Sequence, residues 1–485
     1  MSHAQTAHAP LPEDTDFRPR HAFTLVSLLW TVQLVSLVGM LGGNAQAKVA
    51  IHFHTTQIAW FTLVGVLAGT FAIPFAAKAG AMYGKKRVIL IVALLGLVGD
   101  LVAALATDYG VLLVGRCIAG LYTPAAMLAF AITRDVFPRH LVGLASGLLG
   151  GAVGLVALTG PFLSGWLLDD HGFRAVLWFM VGGTLLSLLL VAVFVPESPI
   201  REGHGRMDWP GGILLGGAIT AIVYAIGKGS DWGWTSGEFI AYIAGSLVAL
   251  ALFVVVESRT AEPLLPLALV RRRQVWTVLL ATSAATGAIY GVGPVLQLLA
   301  LMPKIPTISD GLGWSATHNA WVTAPMSVLI IAAAVGTGVL ARRVDARFLL
   351  GGGAVLAAVG YGIGTQLHHS ASEFITMGVV AGVGMGMIVS IVPIMIIEVV
   401  APEEQALANG AQSLGQGVAQ VLIAQLAFVL MAQHGKELKG TQFYLDAGFT
   451  NGLWLIAGCC AVAALLALLI PKVKRLDDAE AGQAA

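Results

Sequence analysis

About fourteen apolar stretches, each near 20 residues long and parted by charged or Gly/Pro-rich breaks, run from residue 22 to residue 470 of this chain. They begin with 22–47 and 58–77 and end with 408–432 and 450–470. Lipid offers a backbone no hydrogen-bond partner, so a spanning chain must be helical or must close as a barrel. No strand-like alternation of apolar and polar residues is present, and the expectation is an all-α polytopic membrane protein. The 57% hydrophobic and 11% charged composition agrees, and a net charge of +1 gives no footprint for nucleic acid. Cys117, Cys459 and Cys460 all fall in apolar segments without disulfide or metal spacing, so they read as packing residues.

Basic residues orient such a chain, because cytoplasmic loops carry the excess of Lys and Arg. With the N-terminus placed inside, twenty of the 27 Lys and Arg are cytoplasmic and six are external: Lys48, Arg174, Lys228, Lys304, Lys436 and Lys439. Arg116 is left within a span. The count predicts an even number of spans with both termini cytoplasmic, in the cell's inner (plasma) membrane. Met1 to Arg20 is polar and lacks a cleavable signal pattern, so the first apolar segment is expected to stay as an anchor. Two short basic turns, one ending Gly84-Lys85-Lys86-Arg87 and one running from Gly338 to Arg347, suggest a weak internal repeat. The predicted organisation is a tail (1–21), an N-terminal six-helix bundle (22–195), linkers with an inserted helix pair (196–273), a C-terminal six-helix bundle (274–470) and a second tail (471–485).

Within the fifth stretch, Gly150-Gly151-Ala152-Val153-Gly154 leads to Gly160-Pro161-Phe162-Leu163-Ser164-Gly165. Crossing a bilayer requires none of this. Proline removes a backbone donor and glycine removes side-chain bulk, so the helix is built to bend and to let a neighbour close in. The first bundle holds few charges. There is no Asp or Glu between Asp16 and Asp100. Asp100 and Arg116 each lie eight residues from the turn near Asp108, hence at similar depth, roughly 12 Å from it. They are expected to meet, as a proton-coupling pair or as a static ion pair pinning the hairpin; alternatively Asp100 points to the bundle's outer edge.

In order, these elements resemble the major facilitator superfamily, and within it the fourteen-span drug:proton antiporter branch. The turn closing on Gly84, Lys85, Lys86 and Arg87, preceded by Trp60 and Pro74, is similar to that family's cytoplasmic gating loop. Leu112 to Gly120, with Arg116 inside it, resembles the family's fourth helix. Gly150, Gly154, Gly160, Pro161 and Gly165 match the antiporter signature of helix five, and the Gly338 to Arg347 turn echoes the first loop. The resemblance implies two bundles that alternate access to a central site and export cargo. Ala81 stands where the loop aspartate belongs, and the branch's first-helix acid is absent.

Substrate-cavity candidates are Tyr122, Thr123, Tyr290 and Gln297, on helices that line the path in the resembled fold, with Gln412 and Gln416. The last two belong to a polar face that also carries Asn409, Ser413 and Gln420 at helical spacing. Such amides either bind polar atoms of a cargo or bond helix to helix. Gly382, Gly384 and Gly386 read as close-packing or bending positions, and Glu398 as a gate or surface charge. His52 and His54 read as surface histidines; no metal, no cofactor and no phosphate-cradling loop is expected, and an enzyme is not. The expected function is export of hydrophobic or amphiphilic small molecules in exchange for protons. The alternative is a translocase for lipid-like amphiphiles, and nothing in the sequence names an accessory protein.

Overall fold

The computed structural model describes residues 19–199, 207–260, 267–401 and 404–471. Both tails beyond these bounds and parts of both linkers lie outside the described residues, and with them Arg18, Arg201, Arg206, Lys472, Lys474 and Arg475 of the charge count. Among the described residues, fourteen helices have membrane length and composition. The first six are span 1 (Pro19–Phe53), span 2 (Ala59–Tyr83), span 3 (Lys85–Leu105), span 4 (Tyr109–Val136), span 5 (His140–His171) and span 6 (Phe173–Phe194). Span 7 (Trp209–Trp232) and span 8 (Gly237–Arg259) follow as a pair. The last six are span 9 (Arg273–Leu301), span 10 (Ala316–Leu340), span 11 (Ala346–Gly364), span 12 (Ala371–Val399), span 13 (Leu407–Ala432) and span 14 (Asp446–Ala467).

Spans 1 to 6 pack among themselves, spans 9 to 14 do the same, and spans 7 and 8 pack on each other. The two halves meet through span 5 on span 10, span 2 on span 13, and span 1 on the last turns of span 9; span 7 leans on spans 2 and 13. An even number of crossings leaves both described ends of the chain on one side, here the terminal end. The opposite side is the distal end. Two short antiparallel hairpins add strand to the all-α expectation there: β1 (Lys304–Ile305) with β2 (Ser309–Asp310), and β3 (Gly435–Leu438) with β4 (Thr441–Tyr444). Helix starts are marked by side chains that take up free backbone N–H groups: Asp108 for span 4, Ser236 for span 8, Ser315 for span 10 and Ser370 for span 12.

Span 3 shows how the sequence sorts lipid from protein. Ile91, Leu94, Leu95 and Val98, at helical spacing, are exposed and form the outer face. Gly96, Gly99, Asp100 and Ala103 are buried on the inner face. Apolar surface gains nothing by leaving lipid for protein, so close packing of small residues holds the helices together. A Cβ on Gly99 would stand 2.2 Å from Ala119 N, and one on Gly115 would stand 2.5 Å from Ala103 N. Those neighbours are backbone and cannot swing aside. Gly99→Val should therefore cost about 3 kcal/mol or more by overpacking, read as a lower unfolding midpoint in detergent; an unchanged midpoint would refute this packing.

Gly382, Gly384 and Gly386 do the same for span 12. Side chains there would press on backbone atoms of Met326 and Ile330 in span 10, and of Gly353 and Ala357 in span 11.

Candidate functional site

The halves are fastened at the distal end. Asp169, in the single π-helical turn that ends span 5, accepts from Ala316 N at 3.0 Å and Thr317 N at 2.8 Å, so a carboxylate of one half caps the first turn of span 10 in the other. Lys48 Nζ stands 3.9 Å from the same carboxylate and donates to Leu168 O. The β3–β4 hairpin crosses to the first half, where Thr441 Oγ1 donates to Ala50 O and Gln442 N to Thr55 O, each at 3.4 Å.

Span 5 converts sequence into shape along this contact. At Gly165 a Cβ would stand 2.8 Å from Thr317 Cα, and at Gly154 one would stand 3.1 Å from Ile331. Gly160 faces Met40 and Leu37 of span 1, and beside Pro161 the Phe162 ring meets Trp321 edge-on at 4.8 Å. Toward the terminal end the picture reverses: Gly143, Gly147, Gly150 and Gly151 have nothing within 4 Å of where a side chain would start. The helices touch at the distal end and part before the terminal end.

Asp100 and Arg116 are both buried, at 4% and 6% exposure, and at matched depth, but they do not form the expected contact pair. No ion pair within 4.0 Å joins them, although each lies in the other's field. The reason lies in the glycines beside them. Gly99 and Gly115 occupy the seam where spans 3 and 4 touch, so the next residue on each helix is turned about 100° off that seam. Span 6 receives both: Thr184 Oγ1 donates to Asp100 Oδ2 at 2.7 Å, and Met180 Sδ lies 3.2 Å from Arg116 Nη1. The Arg116 guanidinium also stands 5.4 Å from the Phe61 ring centroid. Asp100 thus faces span 6 rather than lipid, with Oδ1 unpartnered.

The basic turn between spans 2 and 3 is tied into its own half. Gly84 takes φ +106°, a conformation that favours glycine, and a Cβ there would stand 2.8 Å from the Glu197 carboxylate. That carboxylate accepts from Lys86 N at 3.0 Å and Arg87 N at 3.3 Å, an anion on the start of span 3. Lys86 Nζ donates to Ala192 O, and Lys85 Nζ pairs at 2.5 Å with Asp135, which also accepts from Ser198 Oγ. With alanine at position 81, the acids at this turn come from span 4 and from the chain just after span 6.

The cavity candidates separate. Tyr122 is inside the first bundle, not between bundles: its hydroxyl lies 2.7 Å from Ser187 Oγ and 3.2 Å from Thr31 O. It sits with Thr123 in the break of span 4 before Pro124, and Thr123 presses on Gly69 of span 2. Gln297 accepts from Asn319 Nδ2 at 2.8 Å and packs near Gly43, beside the distal contact. Gln412 reaches Thr286 and Gln416 at 3.5 Å each, the outer limit of a hydrogen bond, so the amide face of span 13 is loosely satisfied. Tyr290 is 39% exposed although it lies deep in the protein, next to the Gly291–Pro294 break of span 9.

Sequence reasoning passed over Asp169, Asp135, Glu197 and the amides of span 1. Gln33 donates to Leu149 O, whereas Asn44 Oδ1 and both polar atoms of Gln46 are buried without a partner. Amides inside an apolar stretch were the available signal for the last group.

Two helical bundles, fastened together at one end and parted at the other around glycine-lined helices, make a polytopic membrane protein of the two-bundle kind. The chain belongs to the Major Facilitator Superfamily, whose sequence profile matches residues 22–302 and 297–484. It is similar to an uncharacterised transporter of that superfamily from Mycobacterium tuberculosis (strain ATCC 25618 / H37Rv), 29% identical over 60% of this chain; the match spans only 41% of that protein's length. Multidrug resistance protein 3 of Bacillus subtilis (strain 168) is 25% identical, with 81% of this chain and 76% of that protein covered. A probable actinorhodin transporter of Streptomyces coelicolor is 27% identical over 77% of this chain and 66% of its own length. Among solved structures, a peptide transporter in complex with sulfate superposes with a TM-score of 0.66 over 95% of this chain and 96% of that one, at 15% identity. That last likeness shows the fold alone.

Proposed function

We propose that the chain exports hydrophobic or amphiphilic small molecules by alternating access of its two bundles, with inward proton movement as the driving force. The observation that carries this reading is span 5, sealed against span 10 at Gly154 and Gly165 and free at Gly150 and Gly151. With the termini cytoplasmic, as the basic residues argue, this is the inward-open state, ready to take cargo from the cytoplasm or inner leaflet. The multidrug and antibiotic names of the relatives support the direction and the kind of cargo. The groups offered to cargo are the neutral Gln412, Gln416 and Tyr290, which suit uncharged or amphiphilic molecules better than a cation wanting a carboxylate. Asp100 is the proposed proton carrier, buried in the first bundle with one oxygen unpartnered and Arg116, Thr184 and Tyr122 around it.

A second reading is favoured by one feature. A lateral groove of about 550 Å³ between span 7 and spans 2 and 4, lined by Trp60, Leu113, Thr220 and Tyr224, resembles a berth for a lipid-like amphiphile. Purified protein in liposomes separates the two. Export predicts that uptake of neutral amphiphiles follows an imposed proton gradient, falls at least about tenfold when a protonophore collapses it, and moves protons in step. Gradient-independent transfer of labelled phospholipid would favour the translocase, and a preference for dications would contradict the cavity argument.

A further inference from the structure

We propose that His368, His369 and Asp446 form a binding site for a divalent transition-metal ion of the zinc class at the distal end of the C-terminal bundle. His368 and His369 occupy the turn between spans 11 and 12, and Asp446 is the first residue of span 14. Their nearest ligand atoms converge: His368 Nε2 lies 2.9 Å and His369 Nε2 2.7 Å from the same oxygen, Asp446 Oδ1. All three atoms lie within 4.8 Å of one another.

Proton accounting makes this more than a pair of hydrogen bonds. His368 Nδ1 is 2.7 Å from Gly364 O, and a carbonyl oxygen can only accept, so the hydrogen of the neutral ring is on Nδ1. That leaves the Nε2 lone pair aimed at a carboxylate oxygen. A proton or a divalent metal ion between these two atoms would relieve the clash, the Asp446 carboxylate balancing the charge of either. The His369 ring is stacked on it with centroids 4.3 Å apart at 23°, an arrangement that two cations would oppose. One divalent ion between two neutral rings and a carboxylate satisfies all three.

The surroundings are those a metal site needs. A ligating histidine ordinarily donates its other N–H to a backbone carbonyl or a carboxylate, as His368 does to Gly364. Glu373 Oε2 accepts from His369 N at 2.8 Å and lies 3.7 Å from His369 Nδ1, and Asp310 Oδ2 accepts from Asp446 N at 2.9 Å. Bonds near 2.0 Å in a tetrahedral site separate ligand atoms by about 3.3 Å, so the His369 ring, 57% exposed, need retreat only slightly. The fourth position opens to solvent. An ion here would staple the turn between spans 11 and 12 to span 14 and, through Asp310, to the β1–β2 hairpin, stiffening one bundle without touching the other.

The test uses the full chain, purified in detergent on a histidine-free tag, titrated with Zn²⁺ by calorimetry and with Co²⁺ by visible absorption. The expected result is one site per chain with a tetrahedral Co²⁺ spectrum, weakened about tenfold to a hundredfold in His369→Ala and in Asp446→Asn. The double replacement His52→Ala/His54→Ala should leave it intact. Zinc should raise the unfolding temperature of the unaltered chain but not of His369→Ala, while the two melt alike in chelator. No binding to the unaltered chain, or equal affinity in the His369→Ala and Asp446→Asn variants, would overturn the proposal.

Discussion

Asp169→Ala should open the distal end of the protein. The carboxylate gives one oxygen to Ala316 N and the other to Thr317 N, two donors of span 10 that its own helix leaves free. Span 5 and span 10 belong to opposite halves, so these two bonds act on the equilibrium between conformations more than on folding. A hydrogen bond to a charged group contributes about 1.5–3 kcal/mol, and losing two weakens the seal by roughly 3 kcal/mol. At about 1.4 kcal/mol for each tenfold, the balance shifts roughly a hundredfold toward the distal-open state. Spin labels at the exposed Gln57 and Lys436, on opposite halves and in a background with the three native cysteines replaced, should report a new long-distance population. The Lys48 contact at 3.9 Å joins span 1 to span 5 within the first half and is lost with the carboxylate, so it cannot hold the seal in the variant. A distance distribution identical to that of the unaltered chain would show that the hairpin contacts from Thr441 and Gln442 suffice, and the lock assigned to Asp169 would be wrong.

How far the sequence announced this depends on which force places a residue. Membrane spans were legible because hydrocarbon thickness and the need to satisfy every backbone group act on each segment separately. Span 5 was legible as a helix of close approach because glycine and proline change local geometry wherever they sit. The partners of Asp100 and Arg116 were not. Depth follows from counting residues along a hairpin, but direction follows from which face carries Gly99 and Gly115, and only the packed helices reveal that face. The same holds for Tyr122, whose hydroxyl is absorbed by Ser187 of span 6 and Thr31 of span 1, far from it in sequence. Asp169 is one of two adjacent acids at a helix end, and its partners Ala316 and Thr317 lie 147 and 148 residues further on. His368 and His369 are adjacent, but their third ligand comes 77 residues after His369, a separation that no spacing rule anticipates.

The largest functional effect is expected at Asp100. Asp100→Asn keeps the shape and an acceptor for the Thr184 hydroxyl, which lies at 2.7 Å, but cannot release a proton. The bundle should therefore fold, since the replacement removes a buried charge and leaves the close contacts at Gly99 untouched. Arg116 keeps Met180 and Phe61 as neighbours because it never relied on a direct bond to the carboxylate. If Asp100 carries the proton, gradient-driven accumulation in liposomes should fall by at least about tenfold, while exchange of labelled for unlabelled cargo at equal pH on both sides persists. That split is what identifies coupling: a merely structural carboxylate would lower both activities together or neither. Retention of gradient-driven transport in Asp100→Asn would move the search to Asp135, the other buried acid of spans 1 to 6, although its bonds to Lys85 and Ser198 at the terminal end suit a gate better than a carrier.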